Sequence, residues 1–154
     1  MIKPGVFVGT RINDRAFDPP DRQAVALLRG RFRDRTVLTK MARWDPDKRW
    51  LETVDIVAEL KRQSWRPLLL ARGGSESHGA EVLEAARQRG LRIVDRRWSG
   101  RGAQAFVEAL EDIGDADVVN LLSHVDPDAR RSLFRGTEAV MANSGHEPFG
   151  LVGL

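Results

Sequence analysis

The chain has 154 residues, a length that fits one domain of ordinary size and is too short for two. Apolar residues make up 42% and charged residues 31%, which is typical of a globular domain and argues against disorder, collagen-like repeats and a coiled coil. There is no cysteine, so disulfide frameworks, thiolate metal sites and cysteine nucleophiles are excluded. The net charge of +3 is too small to indicate a nucleic-acid partner.

No apolar run of the sequence is longer than about five residues, the length of the run at residues 67–71. That length is far below the roughly 20 residues that a membrane-spanning helix needs. The first residues also lack the apolar core of a signal peptide. We therefore expect no transmembrane segment and a cytoplasmic location, with membrane-peripheral attachment as an option for a longer enzyme.

Strand-like and helix-like patterns alternate along most of the chain. Residues 1–35 predict a lead-in segment with a short helix at 22–31, and residues 36–154 predict one Rossmann-like domain. Within that domain the apolar and β-branched runs predict strands at 36–42, 67–71, 91–94, 117–122 and 139–143. The helical spacing of apolar residues predicts helices at 50–63, 104–113 and 127–135, and another that Gly90 ends.

Strands that are apolar on both faces and separated by amphipathic helices indicate a parallel sheet covered on both sides. The predicted fold class is therefore α/β, a doubly wound Rossmann-like sheet. A Rossmann strand order would make the first and fourth strands neighbours and would bind ligands beyond their carboxyl ends. The loops after Ala42, Leu122 and Asn143 are then the candidate ligand-binding loops.

The first candidate motif directly follows the first strand and runs from Arg43 to Lys48. Arginine can bind two oxygens of one phosphate, and a lysine at the start of a helix adds a compact positive charge. The motif therefore suits a diphosphate. The alternative is a solvated loop in which the two cations pair with Asp45 and Asp47.

The second candidate motif, from Asn143 to Gly150, follows the last predicted strand. Pro148 suits the first position of a helix, so the backbone N–H groups of Phe149, Gly150 and Leu151 would be free to bind an anion or hydroxyl oxygens. Glu147 stands just before that helix, where it could accept hydrogen bonds from sugar hydroxyls. The alternative is that it only caps the helix.

Together the two motifs resemble the carboxy-terminal domain of family 4 glycosyltransferases, which are retaining enzymes with the two-domain GT-B fold. Arg43 and Lys48 match the basic pair of that family, and the segment 147–150 matches its Glu-x-Phe-Gly motif. Residues 119–125 resemble the family's strand and loop near the base, residues 127–142 its next helix and strand, and the start of the chain, at Pro4, resembles the usual entry to these domains.

The resemblance implies a donor-binding domain that takes a UDP-, GDP- or ADP-sugar without a metal or other cofactor. Arg43, Lys48 and Glu147 would be the catalytic residues. The same three side chains would bind the nucleotide sugar together with four further residues: His146, Phe149, Gly150 and Leu151.

Three departures from the family pattern accompany this resemblance. Ala42 and Arg49 stand where the family has glycines, and the second family glutamate would fall one residue beyond Leu154. The acceptor-binding amino-terminal domain is missing as well. We therefore expect a truncated domain, incomplete at its carboxyl end, that has no transfer activity by itself.

Two other functions compete with this interpretation. A non-catalytic α/β module that binds a protein partner or has a regulatory role would have an apolar interface and no affinity for nucleoside diphosphates. A nucleic-acid-binding domain would need arginines clustered on one face, which the sequence does not predict.

Overall fold

The computed structural model describes residues 19–145, which form a single parallel sheet with helices on both faces. The strands are β1 Thr36–Met41, β2 Pro67–Arg72, β3 Ile93–Arg96, β4 Val118–Leu121 and β5 Ala139–Val140. The helices are α1 Arg22–Arg31, α2 Trp50–Arg62, α3 His78–Gln88, α4 Gly102–Ala109 and α5 Pro127–Gly136. The predicted α/β fold class, a doubly wound parallel sheet, is confirmed.

The strand order β3-β4-β2-β1-β5 differs from the expected one. The prediction that the first and fourth strands are neighbours is wrong, because β1 lies between β2 and β5, and β4 lies between β2 and β3. Right-handed crossovers explain the arrangement. The helices α2 and α3 cover one face and lead towards the β3 edge, whereas α5 covers the other face and leads from β4 past β2 and β1 to β5.

Two strands are shorter or later than their sequence patterns predict. The amide of Leu91 donates to the carbonyl of Ala86 at 3.0 Å, which closes the end of α3 and delays β3 to Ile93. The last strand pairs with β1 at Leu38 and Thr39, and beyond it the amide of Met141 still donates to the carbonyl of Thr39 at 2.7 Å. At β3 a local hydrogen bond thus overrides the apolar run.

Each face of the sheet has its own buried core. Helices α1, α4 and α5 pack over one face, and α2 and α3 over the other. The predicted amino-terminal cap of α5 is present, since the carboxylate of Asp126 accepts from the amides of Asp128 and Ala129. Within residues 19–145 no helix is long and apolar enough to cross a membrane.

One ion pair connects the end of α2 to the start of β4. The Asp117 carboxylate is buried, and its Oδ2 accepts from Lys61 Nζ and from the backbone amide of Arg92, both at 2.7 Å. Because that oxygen joins three elements, its charge contributes to stability.

We predict that Asp117→Asn lowers the free energy of unfolding by about 2 kcal/mol, because a buried charged hydrogen bond is lost. Urea denaturation measures the change. Asp115→Asn is the control, since the Asp115 side chain is 81% exposed and only approaches Arg92 at 3.6 Å. Equal effects of the two substitutions would contradict the assignment.

Candidate functional site

The loops after β1 and β5 meet at the carboxyl edge of the sheet. The amide of Gly145 donates to the carbonyl of Asp47 at 2.7 Å, so the first motif touches the beginning of the second. From β1 the chain passes to β2 on one side, and β5 is later added on the other side of β1, so the strand order reverses here, and open α/β sheets bind ligands at such a reversal. We call residues 42–49 and 141–145 the switch-point crevice.

The third candidate loop does not join this crevice. The amide of Leu122 donates to the carbonyl of Arg96 at 2.9 Å, so the loop after β4 lies beside the end of β3. The strand β2 separates β4 from β1. Only two of the three predicted ligand-binding loops are therefore neighbours.

A buried tryptophan fixes the start of the first motif. The Trp44 side chain is 5% exposed and packs against Trp50 with 4.2 Å between ring centroids. The backbone amide of Trp44 donates to the Glu76 carboxylate at 3.0 Å, and Trp50 Nε1 donates to the carbonyl of Arg43 at 2.8 Å. The loop is therefore held from three directions and enters the crevice in a defined conformation.

Glycines leave the space that the Trp44 indole occupies. A Cβ atom at Gly73 would lie 1.9 Å from the indole, and one at Gly79 would lie 2.7 Å from it. A Cβ at Gly74 would collide with the Glu76 carboxylate, 2.2 Å away. The two glycines that follow β2 thus serve to pack Trp44 and Glu76.

The Glu76 carboxylate stays ionised to lower pH than an ordinary glutamate. Its own backbone N–H and that of Trp44 donate to it and lower its pKa, and the charges of Arg43 and Arg72 act in the same direction. This carboxylate therefore remains an anionic anchor for the first motif.

The residue that follows the first motif, Arg49, has a strained backbone conformation. Arg49 has φ 50° and ψ 48°, a left-handed conformation that favours glycine. Its carbonyl accepts from the amide and the hydroxyl of Thr53, both at 3.2 Å, and from Asn143 Nδ2 at 3.3 Å. These contacts hold a conformation that costs free energy, as is common at functional sites.

A buried lysine connects β1 to the loop after β5. Lys40 is 1% exposed, and its Nζ donates to Asn143 Oδ1 at 2.6 Å and lies 5.2 Å from the centroid of the Trp50 ring. Sequence reasoning missed Lys40 as part of the site, and it gave the Asn143 side chain no role although Asn143 begins the second motif. A lysine inside an apolar strand was the available signal, because lysine is rarely fully buried without a specific partner.

The two predicted cations contact carboxylates of their own loop. Arg43 Nη2 lies 2.8 Å from Asp45 Oδ2, and Lys48 Nζ lies 3.9 Å from Asp47 Oδ2. The pairing with aspartates that competed with a diphosphate site is thus present, although the Lys48 side chain is only 16% exposed and so is not solvated as that alternative expected. The Arg43 side chain is 70% exposed, so its ion pair contributes little and does not prevent it from contacting a ligand.

The other predicted site residues lie outside the described part of the chain: His146, Glu147, Phe149, Gly150 and Leu151. The segment at Pro4 does too. Between residues 19 and 145, no three histidine or acidic side chains are grouped as metal ligands. His78 instead contacts Glu81, at 2.6 Å.

Comparison with known proteins finds no matching family model and no matching curated protein. One solved structure is similar in fold, the amino-terminal domain of the Candida albicans trehalose-6-phosphate phosphatase, with a TM-score of 0.56 and 12% identity. The match covers 88% of this chain and 28% of the other. At this identity the likeness shows an α/β fold alone.

These comparisons overturn the functional prediction. The prediction of a donor-binding domain of a retaining glycosyltransferase is wrong, because the similar structure is a domain of a phosphatase and no glycosyltransferase family matches. The physical argument for that prediction was incomplete as well. The basic pair at Arg43 and Lys48 was assigned to a diphosphate, but within the described residues both side chains contact neighbouring aspartates.

We predict that Gly73→Ala lowers the free energy of unfolding by about 2 kcal/mol, because the added methyl group overlaps the Trp44 indole. Thermal denaturation and tryptophan fluorescence measure the change. Gly30→Ala makes the same chemical change in α1, where nothing lies within 4 Å, and should stabilise the chain by about 0.5 kcal/mol. An unaltered Trp44 environment in Gly73→Ala would contradict this packing.

Proposed function

We propose that the switch-point crevice binds the phosphate group of a phosphate ester, which makes this chain a ligand-binding α/β domain. The observation that carries the proposal is the strained turn at Arg49, held by three hydrogen bonds where the loops after β1 and β5 meet. Such strain persists where the surrounding structure enforces it, often because a ligand requires that geometry.

The charges around the crevice favour an anion. Basic residues in and beside the two loops outnumber acidic ones, with Lys40, Arg43, Lys48, Arg49 and Arg72 against Asp45, Asp47 and Glu76. The helix α2 begins at Trp50, so the backbone N–H groups of its first turn add partial positive charge.

The Arg49 side chain belongs to this crevice. Its Nε lies 3.5 Å from the position that a Cβ of Gly145 would take, beside the loop after β5. The left-handed turn thus places a guanidinium between the two loops. A guanidinium binds two phosphate oxygens at once, which a lysine cannot do.

The ligand class follows from this chemistry. Phosphate esters carry the charge and the oxygen geometry that the crevice suits, and the name of the similar structure refers to one of them, trehalose 6-phosphate. Sugar phosphates and nucleotide sugars share this chemistry. The experiment below separates them.

We predict that Lys48→Ala binds trehalose 6-phosphate at least tenfold more weakly than the wild type, because one charged hydrogen bond contributes about 1.5 to 3 kcal/mol. Isothermal titration calorimetry measures the affinity. Unphosphorylated trehalose should not bind, and UDP-glucose tests the nucleotide-sugar alternative. Arg87→Ala is the control, because Arg87 lies on α3 and contacts Glu84. Failure of both phosphorylated ligands to bind would refute the proposal.

A second prediction concerns the strained turn. Arg49→Gly should raise the free energy of unfolding by about 1 kcal/mol, because glycine adopts the left-handed conformation without a steric penalty. It should also weaken phosphate-ester binding, because a guanidinium is lost.

Ser64→Gly is the matched control for this substitution. Ser64 has φ 67° and follows the far end of α2, so the same relief of strain occurs away from the crevice. We expect Ser64→Gly to stabilise the chain while its affinity for the ligand stays unchanged. Wild-type affinity in Arg49→Gly would show that the Arg49 guanidinium has no role in binding.

A further inference from the structure

A second charged cleft lies at the opposite, amino-terminal edge of the sheet. Arg35 directly precedes β1, Arg66 directly precedes β2, and the turn at residues 110–114 follows α4. Together they border a cleft of about 470 Å³. It shares no residue with the switch-point crevice.

Backbone carbonyls near the strand ends hold the Arg35 guanidinium in place. Arg35 Nη2 donates to the carbonyl of Pro67 at 2.7 Å and to that of Ala116 at 2.6 Å. Among residues 19–145, its Nη1 has no hydrogen-bond acceptor. The guanidinium is therefore ordered before any ligand arrives and keeps donors for one.

The second guanidinium has no carboxylate partner in the described residues. Arg66 makes neither an ion pair nor a side-chain hydrogen bond between positions 19 and 145. Burial and the positive charge of Arg66 lower the pKa of Arg35, although the nearby carboxylates of Asp117 and Asp115 act in the opposite direction, so the two guanidiniums repel each other. An anion between them would relieve that repulsion.

Most acidic groups around the cleft contact other cations. Glu111 pairs with Arg31 at 3.0 Å, and the Asp34 side chain is 73% exposed beside Arg33 at 3.9 Å. Asp112 is the acidic residue of the lining that has no ion pair within the described chain. The lining holds three arginines and three acidic residues, and among the described residues neither Arg35 nor Arg66 forms an ion pair.

We propose that Arg35 and Arg66 form a second binding site, specific for an oxyanion such as the phosphate or carboxylate group of a small metabolite. Two guanidiniums on one cleft can bind the oxygens of such a group from two sides. The site is at the other end of the sheet from the switch-point crevice, so a ligand here would not compete with a ligand of that crevice.

The test is an NMR titration of the full chain with inorganic phosphate and, separately, with malonate, at constant ionic strength. The readouts are the Nε–Hε signals of Arg35 and Arg66 and the backbone amides of residues 110–114. We expect saturable shifts, with an affinity roughly tenfold lower in Arg66→Ala and no saturation in Arg66→Glu. Arg66 is exposed, so neither substitution should prevent folding.

Two control variants decide the outcome. Arg33→Ala removes an 80% exposed arginine of the same segment and should leave the affinity unchanged. Lys48→Ala alters the switch-point crevice and should leave these signals unchanged as well. A wild-type affinity in Arg66→Ala, saturable binding in Arg66→Glu, or shifts that chloride reproduces at the same ionic strength would overturn the proposal. None of these outcomes bears on trehalose 6-phosphate binding at the switch-point crevice.

Discussion

The side chain of Asn143 holds the two loops of the crevice together. It accepts from Lys40 Nζ on β1 and donates to the carbonyl of Arg49, so one amide group joins β1, the turn before α2 and the loop after β5. The last strand needs this connection because it pairs with β1 at only two positions. Together with the hydrogen bond from the Gly145 amide to the Asp47 carbonyl, Asn143 fixes the loop of β5 against the strained turn.

The geometry of the crevice follows from the topology of the sheet. The strands β1 and β5 are parallel neighbours, so the loops at their carboxyl ends lie side by side. The Trp44 indole, packed against the glycines that follow β2, fixes the loop after β1. Packing and hydrogen bonds on both sides thus offset the free energy that the left-handed conformation of Arg49 costs.

Much of the fold could be predicted from the sequence, because each strand and helix has its own apolar periodicity. The order of the strands could not, since it depends on which face each helix covers. The candidate site was harder to predict from the sequence than the fold. Arg43 and Lys48 were recognisable as cations after a strand, but their contacts with Asp45 and Asp47 depend on the loop conformation. The role of Asn143 depends on long-range contacts to Lys40 and Arg49, which no local pattern encodes.

The central claim is that a phosphate ester binds where the loops after β1 and β5 meet. The most direct measurement is backbone-amide NMR mapping of the full chain titrated with trehalose 6-phosphate. The account predicts the largest saturable shifts at residues 43–49 and 142–145, with none from trehalose. Shifts confined to other parts of the sheet, or no saturable shift at all, would contradict it.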